Sequence, residues 1–226
     1  MRRVAFFLSG FFLVTTATFA QNRGYDTIPN LPEHYWVRLE NFKKETNFQG
    51  KTVFLGNSIT EGGNWKKLLK DSTVINRGIS GDNTFGTLAR MDEIIKLKPS
   101  KLFILIGTND LSKSIPDEVV IENIFAIVSK IKAGSPKTKI FVQSILPINE
   151  TVEKFPQQFN NASHILTIND QLSRYAERLR YTYIDLYSKF LDDQGKLKAS
   201  YTFDGLHLNA AGYQHWVGIL KSLNYL

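Results

Sequence analysis

The segment Leu-Phe-Ile-Leu-Ile at residues 102–106 limits the possible folds more than any other feature of the sequence, because it is apolar at every position. A strand with one face in water alternates apolar and polar side chains, so this run indicates a strand covered on both faces. Such strands are typical of the centre of a parallel sheet. Four further strands are predicted at 51–55, 73–76, 140–144 and 183–186, each of which contains consecutive apolar residues.

Helical periodicity fills the intervals between the predicted strands. Helices are predicted to begin near Pro32, Trp65, Asn83, Pro116, Ile165 and Asn209. Five strands alternating with helices indicate an α/β fold, in which helices cover both faces of a parallel sheet through right-handed crossovers. No repeat, low-complexity tract or linker divides the chain, so residues 21–226 are predicted to form a single domain.

The amino terminus has the pattern of a secretory signal peptide. Arg2 and Arg3 precede a mostly apolar run at 4–14, and small residues follow as far as Ala20. The apolar run is about half the ~20 residues of a membrane-spanning helix, so an uncleaved anchor is the weaker alternative. We predict cleavage after Ala20, with Ala17 as the alternative site. Residues 1–20 would then be removed, leaving a periplasmic or extracellular protein without a stable membrane anchor.

Composition excludes several classes of function. The chain has no cysteine, so it has no disulfide, no thiolate metal site and no cysteine nucleophile. Its basic residues are scattered among the predicted helices, which argues against a nucleic-acid partner. Four histidines without a His-Glu-x-x-His pattern indicate no metal site. The glycine-containing stretch 56–63 lacks Gly-Lys-Ser/Thr and Gly-x-Gly-x-x-Gly, so no phosphate or flavin cofactor is predicted.

Polar and glycine residues follow three of the predicted strands. Gly56-Asn57-Ser58 follows the first strand, Gly78 the second and Gly107-Thr108-Asn109 the third. The carboxyl ends of parallel strands share one edge of the sheet, where ligands of open α/β folds bind. Asp204 and His207 lie in the loop before the final helix. The sequence therefore predicts that four distant segments meet at one crevice.

These residue types suit acyl transfer. Ser58 is the predicted nucleophile, His207 the base that takes its proton, and Asp204 the carboxylate that orients the imidazole. Candidate oxyanion donors are the backbone N–H groups of Ser58 and Gly78 and the side-chain amide of Asn109. Each residue alone is more often a turn or capping residue, so the prediction depends on their coincidence at strand ends.

The segments 56–59, 76–82, 107–110 and 204–208 together resemble those of the SGNH (GDSL-type) hydrolases. Within this family, the chain looks most like the small esterases related to platelet-activating-factor acetylhydrolase and lysophospholipase L1. The resemblance covers nearly the whole chain after the predicted leader. It implies a flavodoxin-like, three-layer α/β/α fold with a five-stranded parallel sheet.

The resemblance also implies roles for single residues. Ser58 would be the nucleophile, with Asp204 and His207 completing the triad, and Ser58, Gly78 and Asn109 would form the oxyanion hole. One departure is Asn57, where the family usually has aspartate. Asparagine can still form hydrogen bonds in the turn, but it brings no charge to that position.

The chain is little longer than its five-stranded core requires, which leaves scant sequence for a lid or a deep lipid tunnel. We therefore expect short acyl groups, acetyl above all. Together with export, the resemblance implies O-acetyl groups on carbohydrates. Hydrolysis of lysophospholipids or simple acyl esters is the alternative. A non-catalytic glycan-binding domain is a further alternative, but it predicts a broken triad, and every triad position is filled.

Overall fold

The computed structural model describes residues 31–45, 49–152 and 154–226. Five strands form one parallel sheet in the order β2-β1-β3-β4-β5. This is the strand order of flavodoxin-like folds. The strands are β1 Thr52–Gly56, β2 Ile75–Gly78, β3 Lys101–Leu105, β4 Lys139–Gln143 and β5 Thr182–Ile184. The predicted five-stranded parallel sheet is confirmed.

Helices cover both faces of this sheet, as predicted. The helices of the described chain are α1 Glu33–Lys44, α2 Ser58–Glu61, α3 Trp65–Leu69, α4 Thr84–Ala89, α5 Met91–Lys96, α6 Thr108–Leu111, α7 Asp117–Gly134, α8 Ala162–Arg174, α9 Ala176–Leu179, α10 Tyr187–Phe190 and α11 Ala210–Ser222. One core cluster lies between the sheet and α5, α7 and α8, and the other between the sheet and α3 and α11. The three-layer α/β/α architecture follows from these two clusters.

The register of the strands explains why the central run is apolar on both sides. Phe54, Phe103 and Phe141 are paired across β1, β3 and β4, and their rings stack at 4.9 and 4.5 Å between centroids. Leu102 and Ile104, the neighbours of Phe103 along β3, belong to the core cluster on the opposite face. Both faces of β3 are therefore buried, as the sequence predicts.

Two predicted helices are each divided in two. The helix predicted from Asn83 consists of α4 and α5, which are separated at Arg90, a residue with non-helical backbone angles. The Arg90 side chain turns inward to the sheet edge, where backbone carbonyls accept its hydrogen bonds. The helix predicted over 165–179 is divided at Tyr175 into α8 and α9. Apolar periodicity continues across both breaks, so the pattern alone does not reveal them.

The predicted signal peptide at 1–20 falls outside the described residues, as does nearly all of the irregular lead-in that follows it. Within the described ranges, no helix combines the length and the apolar character that a membrane span requires.

Candidate active site

Ser58 lies in the turn that follows the carboxyl end of β1. It is the first residue of the short helix α2, and Asn57 before it is the N-cap. The buried Asn57 side-chain oxygen accepts a hydrogen bond from the Ile59 N–H at 3.0 Å. Asparagine caps a helix about as well as aspartate does. The departure from the family pattern therefore keeps the turn and places no charge beside the serine.

The loop that carries Asp204 and His207 holds the two residues together. Asp204 Oδ1 accepts hydrogen bonds from the backbone N–H groups of Leu206 at 3.0 Å and His207 at 2.7 Å. The Thr202 hydroxyl accepts from the Gly205 N–H and donates to the His207 carbonyl. These bonds close a tight turn, so a spacing of three residues brings the carboxylate to the imidazole.

The His207 ring joins Asp204 to Ser58. Its Nδ1 lies 2.8 Å from Asp204 Oδ2, and its Nε2 lies 2.9 Å from Ser58 Oγ. Burial opposes ionisation of Asp204, but the hydrogen bonds from the His207 ring and from the N–H groups of His207 and Leu206 outweigh it and hold the pKa of this carboxyl below its usual value. An ionised carboxylate only accepts hydrogen bonds, so Nδ1 carries the proton and Nε2 is free to accept from the Ser58 hydroxyl.

Two of the three predicted oxyanion donors are available at this edge of the sheet. Asn109 lies in α6, directly after β3, and its amide donates one hydrogen bond to the Asp82 carbonyl at 2.8 Å. A side-chain amide has two N–H groups, so the second remains for a ligand. Among the described residues, no hydrogen bond uses the backbone N–H of Ser58.

The backbone N–H of Gly78, the third predicted donor, is already engaged. It donates to the Asn76 side-chain oxygen at 2.8 Å, which disfavours the predicted oxyanion role. A Cβ at this position would lie 2.1 Å from the Glu61 nitrogen, so the glycine allows α2 to pack against β2. Gly81 lies in the loop that follows β2, with φ +80°, and its N–H has no partner in the described part of the chain. Sequence reasoning overlooked this second glycine of the same segment.

A buried ion pair holds the loop after β2. Arg90 and Asp82 are both fully buried, and the Arg90 Nη2 and Nε donate to Asp82 Oδ2 at 2.8 and 3.0 Å. The same Nη2 donates to the backbone carbonyls of Gly56 and Arg77, at the carboxyl ends of β1 and β2. Because the Asp82 carbonyl holds Asn109, this pair fixes the position of a candidate oxyanion donor.

We expect Arg90→Leu to destabilise the fold by about 3–5 kcal/mol, because it leaves the Asp82 carboxylate buried without a counter-charge. The measurement is the free energy of unfolding from urea denaturation. The double variant Arg90→Leu/Asp82→Asn is the matched control and should recover part of the loss, since it buries no lone charge. A single-variant loss below about 1 kcal/mol, the range of a surface pair, would contradict this account.

Asp110, next to Asn109, is a second buried carboxyl group. Burial raises its pKa to about 7, although the Thr84 hydroxyl and N–H donate to it and oppose the rise. The nearby Asp82 carboxylate adds to the rise. Burial thus favours the neutral form of Asp110, whereas hydrogen bonds favour the ionised form of Asp204.

Two aromatic residues beside the histidine were not identified from the sequence. The Phe203 ring is stacked near the His207 ring at 6.1 Å between centroids, and Phe155 meets it edge-on at 5.4 Å. Phe203 is 64% exposed. It directly precedes Asp204, and an aromatic residue next to a predicted triad member is the signal that could have identified it.

A profile of the GDSL-like lipase/acylhydrolase family matches residues 54–215, which is well over half of the chain. The chain belongs to the GDSL-like lipase/acylhydrolase family. The matched segment contains Ser58, Asn109, Asp204 and His207, and it confirms the resemblance on which the sequence prediction rested. The description of this family names lipases and acylhydrolases, which are enzymes that cleave esters.

Individual relatives agree with this assignment. The platelet-activating factor acetylhydrolase IB subunit alpha2 of Rattus norvegicus is 29% identical over 151 residues. That alignment covers 66% of this chain and 63% of the relative, so the chain spans less than two thirds of the relative's length. A GDSL-like lipase from Bacteroides thetaiotaomicron superimposes with a TM-score of 0.71 at 26% identity, covering 84% of this chain and 96% of that one.

The acetyl xylan esterase AlAXEase superimposes with a TM-score of 0.63 at 20% identity, covering 76% of this chain and 98% of that one. At this level of identity, the likeness shows a common fold.

Proposed function

We propose that this family member is an exported serine esterase that removes short acyl groups, acetyl above all, from carbohydrate esters. One observation carries the proposal: the His207 ring bonds the Ser58 hydroxyl on one side and the Asp204 carboxylate on the other. A serine hydroxyl is a weak nucleophile until a base removes its proton, and His207 Nε2 lies at the distance this transfer needs.

In the first half-reaction, Ser58 Oγ attacks the ester carbonyl carbon while its proton passes to His207 Nε2. The resulting imidazolium is stabilised by the ionised Asp204. The tetrahedral intermediate then collapses, the bond from carbon to the alcohol oxygen breaks, and His207 gives its proton to the leaving alcohol. In the second half-reaction, His207 takes a proton from water as the water oxygen attacks the carbonyl carbon of the acyl-enzyme. The bond from this carbon to Ser58 Oγ then breaks, His207 returns its proton to Oγ, and the acid leaves.

The negative oxygen of each tetrahedral intermediate needs hydrogen-bond donors. The Ser58 N–H and the second N–H of Asn109 supply two. We propose that Gly81 supplies the third in place of Gly78, because the N–H of Gly78 is engaged while that of Gly81 has no partner in the described ranges. The Asp82 carbonyl binds the Asn109 amide directly beside Gly81.

Acetyl specificity is supported by the modest length of the chain, which leaves scant sequence for a lid, and by the names of its relatives. Platelet-activating factor acetylhydrolase and acetyl xylan esterase are both named for acetyl esters. The second name also motivates the carbohydrate part of the proposal. The first motivates the alternative, a phospholipid-type or general acyl ester.

The alcohol half of the substrate must lie near His207, because the imidazole returns its proton to the leaving alcohol. The exposed ring of Phe203 and the edge-on ring of Phe155 flank the imidazole. Aromatic faces pack well against the C–H faces of sugar rings. These two aromatic rings therefore favour a cyclic sugar over a flexible chain as the leaving alcohol.

Export is proposed from the amino-terminal sequence, in which Arg2 and Arg3 precede an apolar run and a small-residue cleavage site. The absence of cysteine fits a periplasmic or extracellular domain large enough to fold without disulfides.

The test is a hydrolysis series. We expect kcat/KM for p-nitrophenyl esters to fall from acetate to octanoate, and acetate to be released from acetylated oligosaccharides faster than from a lysophospholipid-type ester. Phe203→Ala should raise KM for the oligosaccharide while leaving ethyl acetate hydrolysis nearly unchanged. A preference for octanoate would contradict the acetyl proposal. Oligosaccharide binding without hydrolysis of any ester would favour the glycan-binding alternative.

A further inference from the structure

Glu61 lies one helical turn after Ser58, in the same short helix, and its carboxylate reaches the loop after β2. The backbone N–H and the hydroxyl of Ser80 both donate to Glu61 Oε2, at 2.5 and 2.7 Å. Two bonds from one residue to one carboxylate oxygen fix the orientation of Ser80. The next peptide group along the chain carries the N–H of Gly81.

Helix α1 closes the other side of this carboxylate, although it lies outside the segment matched by the family profile. His34 Nε2 lies 2.9 Å from Glu61 Oε1, and Arg38 Nε forms an ion pair with the same oxygen at 3.3 Å. Arg38 Nη2 also donates to the Gly78 carbonyl at 3.1 Å. We call Glu61, Ser80, His34 and Arg38 the Glu61 cluster.

Helix α1 is itself fixed to the core near the site. The buried Tyr35 hydroxyl donates to the Gly86 carbonyl at 2.7 Å. The Phe42 ring packs under the Arg77 guanidinium at 4.3 Å. Burial opposes ionisation of Glu61, but hydrogen bonds from Ser80 and His34 keep the pKa of Glu61 below its usual value, so the cluster is held by a charged carboxylate.

We propose that Glu61 is a positioning residue for ester hydrolysis, which holds the loop after β2 so that the Gly81 N–H points at the oxyanion. The inference rests on the proposed function, because it assigns a task to the same site. Glu61 fixes the loop on the Ser80 side of Gly81, and the Asp82–Arg90 pair fixes it on the other side. One short helix thus carries both the nucleophile and the group that aligns an oxyanion donor with it.

The test is Glu61→Gln, which keeps the side-chain shape but removes the charge that binds Ser80, His34 and Arg38. We expect kcat for p-nitrophenyl acetate to fall about ten- to hundredfold, with KM within about twofold of the wild type. Phosphonylation of Ser58 by a p-nitrophenyl phosphonate should slow by a similar factor, because its phosphoryl oxygen occupies the oxyanion position. The thermal midpoint is measured alongside.

Two histidines offer a matched control. His34 and His164 are similarly exposed, at 46% and 53%, and each has a ring nitrogen 2.9 Å from a carboxylate oxygen, but His164 pairs with Asp117. We expect His34→Ala to lower kcat about two- to fivefold, the effect of a weakened hydrogen bond to a charged group, and His164→Ala to leave it unchanged.

Three outcomes separate the possibilities. A wild-type kcat in Glu61→Gln would overturn the inference and leave the proposed function standing. Loss of activity only in proportion to loss of folded protein would also overturn it, because it would indicate a structural role alone. Undiminished turnover in Ser58→Ala would instead overturn the proposed function, on which the inference depends.

Discussion

Ser58→Ala should lower kcat for acetyl esters by about 10⁴-fold or more while the protein remains folded. The variant keeps the turn, the Asn57 cap and the His207–Asp204 hydrogen bond, but it removes the oxygen that would attack the ester. The remaining oxyanion donors could still orient water, so a small residual rate is expected. The measurement is single-turnover and steady-state hydrolysis of p-nitrophenyl acetate.

Ser173→Ala is the control for this variant, because Ser173 is an exposed serine on α8 outside the candidate site. It should hydrolyse the ester at the wild-type rate. A fluorophosphonate probe should label the wild type and Ser173→Ala at Ser58 and leave Ser58→Ala unlabelled. Wild-type turnover in Ser58→Ala would remove this residue as the nucleophile.

The sequence predicts the sheet well because a strand buried on both faces is apolar at every position, and such a segment is easily recognised. The apolar run of β3 and the glycine turns that follow β1, β2 and β3 indicate a central parallel strand and one functional edge. The resemblance to a known family added the three-layer fold. The sequence predicts the ends of strands less accurately, because a strand ends where its pairing with neighbouring strands ends. The second strand was predicted from residue 73, but β2 begins at Ile75, because Thr73 lies in a turn and donates hydrogen bonds to Asp71.

The meeting of Ser58, His207 and Asp204 was predicted from residue types and from the edge shared by parallel strands. Local spacing explains part of this proximity, since Asp204 and His207 lie in one turn. The identity of the donor in the loop after β2 could not be predicted in the same way. Gly78 ends β2 and Gly81 lies in the loop that follows, and the sequence does not show that the Asn76 side chain engages the N–H of Gly78.

The contacts of the Glu61 cluster could not be predicted from the sequence for a different reason. His34 and Glu61 are 27 residues apart, and the side chains interact because α1 packs beside the edge of the sheet. A histidine in a helical pattern is most often structural or exposed, and His164 on α8 gives the same pattern without contact with the candidate site. Periodicity identifies a helix, but it does not identify the neighbour that one of its polar residues meets.

Asp204→Asn should lower kcat by about 10⁴-fold at neutral pH, although it changes a single atom. An amide nitrogen that donates to Nδ1 would leave the proton on Nε2, and His207 could then no longer accept the Ser58 proton. Asp185→Asn is the control, since Asp185 is an exposed carboxylate that accepts hydrogen bonds from Ser188, which is not a residue of the candidate site. It should retain the wild-type kcat.

The same variant tests the pKa of Asp204 through the stability of the fold. The folded-state pKa is held below that of the unfolded chain, so the ionised group stabilises the fold above the ordinary aspartate pKa of about 4, and this contribution is lost as pH falls through the folded pKa. Asparagine has no such dependence. The wild type should therefore unfold at higher urea concentration than Asp204→Asn at pH 7, and the difference should shrink as pH falls below about 4. A difference that stays constant across this range would mean that Asp204 is not held as an ion by His207, and the base in the proposed mechanism would then lack its counter-charge.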